Sequence, residues 1–178
     1  MRAVIMAGGE ARRFWGVPKP LMRVCGRTML ASAVLAASAV AEETYVAAPP
    51  RAFAVIKEAV GMGAEPLITP GLGYSLDLAW AVSRVGTPAL IIPSDMPFLG
   101  PDDLRYFLGR ALVSGAGVVS LKVSGDCFPP PFRGGGYVGL SLIKGFWGSY
   151  SDVEACRFPA YLDVDSYTDY KEVTGLCA

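Results

Sequence analysis

The chain of 178 residues contains no histidine, no asparagine and no glutamine. Without histidine it lacks the commonest general base near neutral pH and the commonest transition-metal ligand. Its chemistry must therefore run on carboxylates, cations and a hard metal ion, or on cysteine. The missing amides fit a heat-adapted chain, in which asparagine and glutamine are liabilities. Cysteine is sparse: Cys25, Cys127, Cys156 and Cys177 form no C-x-x-C pair, so a zinc site would lack both close-spaced thiols and histidine partners. Ordinary buried thiols are expected, although a heat-adapted source would permit intracellular disulfides of unknown pairing. The longest apolar run, residues 29–41, holds Ser32 and Ser38 and is too short to cross a bilayer. Zero formal net charge excludes a broad basic nucleic-acid surface, and 52% hydrophobic content excludes disorder.

What is present begins at the first residues. Residues 2–6 are an apolar, β-branched run that reads as a buried strand, and Ala7-Gly8-Gly9 breaks it. Thr28 then reads as the N-cap of a helix over 29–41. Between them lie Arg12, Arg13, Lys19, Arg23 and Arg27, five of the sixteen lysines and arginines, and residues 12–27 contain no acid. Glycine backbone beside clustered cations is a cradle for several phosphate charges, and a nucleoside triphosphate is the natural guest. A Gly-Gly pair is also an ordinary strand-to-helix turn. Neither a G-K-[ST] phosphate loop nor a G-x-G-x-x-G fingerprint is present.

Further along, strands are expected at 44–48, 65–69, 89–93 and 118–123, and helices at 51–60, 74–84 and 101–113. Alternation of this kind predicts an α/β fold with a mainly parallel, Rossmann-like sheet and helices on both faces. The second half is less regular. Residues 129–136 read as a long loop and 137–143 as a strand. A short helix is expected within 144–158, a last strand at 161–165, and a closing helix at 166–173 capped by Ser166. No repeat or linker divides the chain, so one domain over 1–178 is expected. Met1 leads directly into structure, which makes a cytoplasmic protein the default expectation. Oligomeric state stays open, a homodimer included.

In an open parallel sheet, ligands bind beyond the carboxyl ends of the strands. Three features fall there: the cationic glycine loop, Gly71-Leu72-Gly73-Tyr74 with Asp77, and Ser94-Asp95 after the apolar run 89–93. Asp95 either caps the turn before Pro97 or holds a magnesium ion, and the nearby phosphate loop favours the metal. Strand alternation would put Asp163 and Asp165 on one face, as second metal ligands or as solvated charges. Tyr74 and Asp77 are either nucleotide contacts or the ordinary start of a helix.

Gly8, Gly9, Arg13 and Lys19-Pro20-Leu21, at their spacing, resemble the signature of the MobA-like nucleotidyltransferases. The later Asp163-Val164-Asp165-Ser166 resembles that family's [ND]-[IV]-[ND]-[ST] motif. Lys19-Pro20-Leu21 with Cys25-Gly26-Arg27, followed by Gly71-x-Gly73-Tyr74-x-x-Asp77-Leu78, is similar to the archaeal-type GTP:adenosylcobinamide-phosphate guanylyltransferases. Departures exist: Ala11 replaces a loop glycine and Phe14-Trp15 a Met-Gly pair. The resemblance implies a Mg²⁺-dependent guanylyltransferase that moves GMP from GTP to a phosphorylated small molecule, adenosylcobinamide phosphate first. Molybdenum-cofactor guanylyl transfer and a non-catalytic nucleotide-binding module are the alternatives. It further implies that Ala7, Gly8, Gly9, Arg13, Lys19, Gly71, Gly73, Tyr74 and Asp77 hold the nucleotide. Arg13, Lys19 and Asp95 would act in catalysis, and Asp95 with Asp165 would hold the metal. The loop at 133–136, Trp147 and Tyr150 are candidates for the acceptor side.

Overall fold

The computed structural model describes residues 1–9, 16–132, 135–145 and 148–177. Its axis is β1 (Arg2–Met6), which pairs in parallel with β4 (Glu43–Ala48) on one side and β6 (Ala89–Pro93) on the other. Strands flanked on both edges and covered on both faces must be apolar throughout, which is why these runs carry no alternation. Ala3 and Ile5 enter one core, while Val4 and Met6 enter the other.

The sheet extends outward to β5 (Glu65–Ile68) beyond β4, and to β8 (Gly136–Ile143), β7 (Val118–Val123) and β9 (Tyr150–Ala155) beyond β6. Spatial order is β5-β4-β1-β6-β8-β7-β9, and β8 alone runs antiparallel to its neighbours. Three helices, α1 (Met29–Ser38), α2 (Phe53–Gly61) and α4 (Pro101–Ala111), pack against the larger core. Helix α3 (Tyr74–Val85) covers the opposite face through Ala81, Val82 and Val85. The expected α/β architecture is therefore what the chain adopts.

Local chemistry sets the helix starts. Thr28 Oγ1 accepts the Ala31 N–H at 3.1 Å, so α1 begins at its expected residue but ends at Ser38. Ser166 Oγ and Asp169 form a reciprocal cap for α5 (Tyr167–Thr174). Before α1, β2 (Arg23–Val24) and β3 (Arg27–Thr28) form a small hairpin. Its turn, Cys25-Gly26, has both φ values positive, at 49° and 85°.

Three expectations are corrected. Residues 150–155 form β9 and not a helix, because Val153 and Ala155 turn inward while Asp152 and Glu154 face water. Residues 161–165 form no strand. Val164 N–H donates to the Asp95 carbonyl at 3.0 Å, in the turn beyond β6, whose own edges are taken by β1 and β8, and the segment pairs with no strand of the sheet. The cysteines are not free thiols: Cys25 pairs with Cys177 and Cys127 with Cys156, with Cα separations of 5.0 and 5.3 Å. Among the described residues no helix is long and apolar enough to cross a membrane.

Candidate active site

Because β1, β4, β5 and β6 run in parallel, the turns that follow them meet at one edge. There they enclose a cleft of about 770 Å³. Gly8 and Gly9 follow β1, Arg51 follows β4, Gly71 to Tyr74 follow β5, and Ser94 with Asp95 follows β6. Lys19 and Asp165 also line it, although 146 residues separate them. Met6 and Ala47 supply apolar wall.

The charged end of the cleft is built on Lys19. It sits in a short 3-10 turn (Lys19–Leu21) ahead of the hairpin. Its ammonium lies 2.8 Å from Asp95 Oδ2 and 3.0 Å from Asp165 Oδ1. Burial disfavours the charge on Lys19, but attraction and hydrogen bonds from Asp95 and Asp165 outweigh it and hold its pKa above the ordinary value. Asp163 adds a third carboxylate to the same neighbourhood. Burial first, then the negative charges of Asp165 and Asp95, pushes its pKa up to about 6. Asp95 and Asp165 are the two carboxylates brought together on Lys19, and they are the residues that could hold a divalent cation. The donor set fits magnesium, which takes one or two carboxylates and fills its remaining positions with water and phosphate oxygens. No cluster of three or more metal-ligating side chains is found among the described residues.

Asp77 lines the cleft, and its carboxylate is engaged by the turn ahead of α3. It is buried, and its Oδ1 accepts the N–H groups of Gly71 at 2.9 Å and Leu72 at 3.1 Å. Its Oδ2 accepts the Thr69 hydroxyl at 3.0 Å. Its carboxylate is committed to shaping the turn that opens α3. The Tyr74 hydroxyl, at the mouth, is harder to ionise than usual, through partial burial and then the charge of Asp95.

Close approach explains two glycines. A Cβ on Gly8 would stand 2.9 Å from Pro49 Cδ. Gly71 has a φ of +73°, and a Cβ there would meet Arg51 Nη1 at 2.5 Å and Pro49 Cβ at 2.9 Å. Ala7 lies behind the wall: it is buried and its N–H donates to the Ala47 carbonyl at 2.9 Å. Of the residues singled out from the sequence, Gly8, Gly9, Lys19, Gly71, Gly73, Tyr74, Asp77, Asp95 and Asp165 line this one cleft. Arg12, Arg13, Arg133 and Trp147 lie outside the described residues. Tyr150 is exposed on β9, its ring 6.0 Å from that of Tyr137. Arg51 was not anticipated. Its signal was available, since it lies three residues beyond a strand at the ligand-binding edge of a parallel sheet.

Comparison with known proteins adds a family to this geometry. Residues 3–143 match the MobA-like NTP transferase domain. A molybdenum cofactor guanylyltransferase of Acidiphilium cryptum is 37% identical over 118 residues, covering 62% of this chain and 58% of that protein. An adenosylcobinamide-phosphate guanylyltransferase of Methanocaldococcus jannaschii is 33% identical over 102 residues, covering 54% of this chain and 52% of that protein. The chain thus spans little more than half the length of these relatives. Among solved structures, a nucleotidyl transferase from Methanothermobacter superposes with a TM-score of 0.74 at 22% identity, covering 99% of this chain and 96% of that one. The Rv0371c protein of Mycobacterium tuberculosis also gives 0.74, at 16% identity and 98% coverage of both chains. These likenesses establish the fold.

Proposed function

We propose a function from the premise that the chain belongs to the MobA-like NTP transferase domain family: it transfers GMP from GTP to the phosphate of a small acceptor. The observation that carries this reading is the Lys19 ammonium held 2.8 and 3.0 Å from two carboxylates in the cleft that also contains Gly8 and Gly9.

An oxygen of the acceptor phosphate attacks the α-phosphorus of GTP. The bond from that phosphorus to the α,β-bridging oxygen breaks, and pyrophosphate leaves with the electron pair. A phosphate nucleophile is ionised near neutral pH, so the reaction needs no histidine base. The chain's contribution is positioning and electrostatic stabilisation. Backbone at Gly8 and Gly9 receives the triphosphate, and Arg13 is assigned to its β,γ end by its place in the motif. Lys19 swings from its two carboxylates to the α-phosphate oxygens, where charge builds in the transition state. Asp95 and Asp165 would hold Mg²⁺, which supplies charge neutralisation on the phosphate oxygens when bound. Asp77 keeps the Gly71–Gly73 turn in the shape that receives the nucleoside.

Adenosylcobinamide phosphate is the acceptor favoured by the Lys19-Pro20-Leu21, Cys25-Gly26-Arg27 and Gly71-x-Gly73-Tyr74 segments. The pterin phosphate of molybdenum cofactor is the second reading, favoured by the 37% identity to the Acidiphilium protein. Pyrophosphate release from GTP and Mg²⁺ with each acceptor in turn tests both. Product with cobinamide phosphate alone supports the first, and product with the pterin alone installs the second. GTP binding with no pyrophosphate from either would leave only a nucleotide-binding module.

A further inference from the structure

We infer that Arg51 selects the nucleobase, reading the acceptor edge of guanine, O6 and N7, with its guanidinium. This rests on the reading of the cleft as a nucleotide donor site. The cleft is polarised along the sheet edge. Lys19, Asp95 and Asp165 gather at the β6 end, whereas Ala47, Gly71 and Leu72 line the β4–β5 end. With strands ~4.8 Å apart, β5 lies roughly 14 Å from β6, the span between a phosphate anchored at one end and a base at the other. Among the described lining residues, Arg51 and Lys19 are the cations, and Arg51 stands at the base end.

The guanidinium lies against the backbone of the turn there. Arg51 Nη1 donates to the Gly71 carbonyl at 3.4 Å and occupies the space that a side chain at position 71 would take. Glycine at 71 therefore lets arginine lie against the turn, while Asp77 fixes that turn through the N–H groups of Gly71 and Leu72. Arginine has only donors. Guanine offers two acceptors on its O6/N7 edge, whereas adenine places an amino donor beside N7. The arrangement therefore accepts guanine and rejects adenine by leaving a donor facing a donor.

Calorimetric binding of GTP, ATP, ITP and 7-deaza-GTP, without acceptor, tests the assignment in the wild type and in Arg51→Met and Arg51→Gln. The wild type should bind ITP as it binds GTP, since both carry O6 and N7, and should bind 7-deaza-GTP and ATP more weakly. Arg51→Met should lose ~10- to 100-fold in GTP affinity with ATP affinity unchanged, the worth of a good bidentate contact. Arg51→Gln, which can both donate and accept, should shift preference toward ATP and serves alone if the Met variant does not fold. Equal losses for GTP and ATP, or an unchanged GTP:ATP ratio, would overturn the assignment. Pyrophosphate release by the wild type, measured separately with the acceptors, reads the underlying function. Transfer with an unaltered base preference in the variants refutes the role of Arg51 alone.

Discussion

Removing the Lys19 ammonium would leave Asp95 and Asp165 without the cation that now lies within 3.0 Å of both. If that ammonium works on the transition state, Lys19→Ala lowers kcat by ~10²–10³ while GTP affinity changes far less. Equal losses in both would mean that it binds ground and transition states alike. Asp163 offers a second test at this scale, through pH. Its folded pKa of about 6 stands above the ordinary 3.8, so the folded state binds that proton more tightly than the unfolded state. Its contribution to stability is therefore highest below about pH 4, falls as pH rises through 6, and stays low above. In chelator-treated protein, Asp163→Asn should stabilise by roughly 1 kcal/mol at pH 7.5, solvent screening reducing the full value, and change little at pH 4. Urea melts at the two pH values check this; a gain of equal size at both would contradict it.

At the scale of elements, the turn between β5 and α3 depends on one side chain. Asp77→Ala would remove the Oδ1 acceptor that the N–H groups of Gly71 and Leu72 now share. Leaving those donors unmatched should cost about 1–3 kcal/mol in stability. KM for GTP should rise with kcat nearly kept, because the turn shapes the base end and touches no reacting atom. A large fall in kcat at unchanged KM would instead put Asp77 among the reacting groups. The elements themselves divided by the strength of their local signals. Helix α1 was legible from Thr28, and β6 from an uninterrupted apolar run at Ala89–Ile92. Strand β9 was harder to see, because an exposed edge strand with two inward residues carries little hydrophobic pattern.

For the whole molecule, the two disulfides close very different loops: Cys25–Cys177 spans 152 residues and Cys127–Cys156 spans 29. On chain entropy, removing the longer link as a paired Ser variant should cost about 1.5 kcal/mol more than removing the shorter. Chemical denaturation of the two double variants measures the difference, and equal costs would show that loop closure is not what these bonds contribute. The longer link also fastens the end of α5 to the hairpin that follows Lys19, and Tyr170 Oη donates to the Arg23 carbonyl at 2.8 Å across the same seam. By itself the sequence determined the alternating elements, the parallel sheet and the list of groups at its carboxyl edge, because periodicity, caps and strand direction are local or nearly so. Only the tertiary structure decided which cysteines pair, that Asp165 meets Lys19, that the Asp77 carboxylate is spent on a turn, and that Arg51 enters the cleft. Each of those facts concerns groups brought together by the packing of elements, and spacing along a chain carries no measure of that distance.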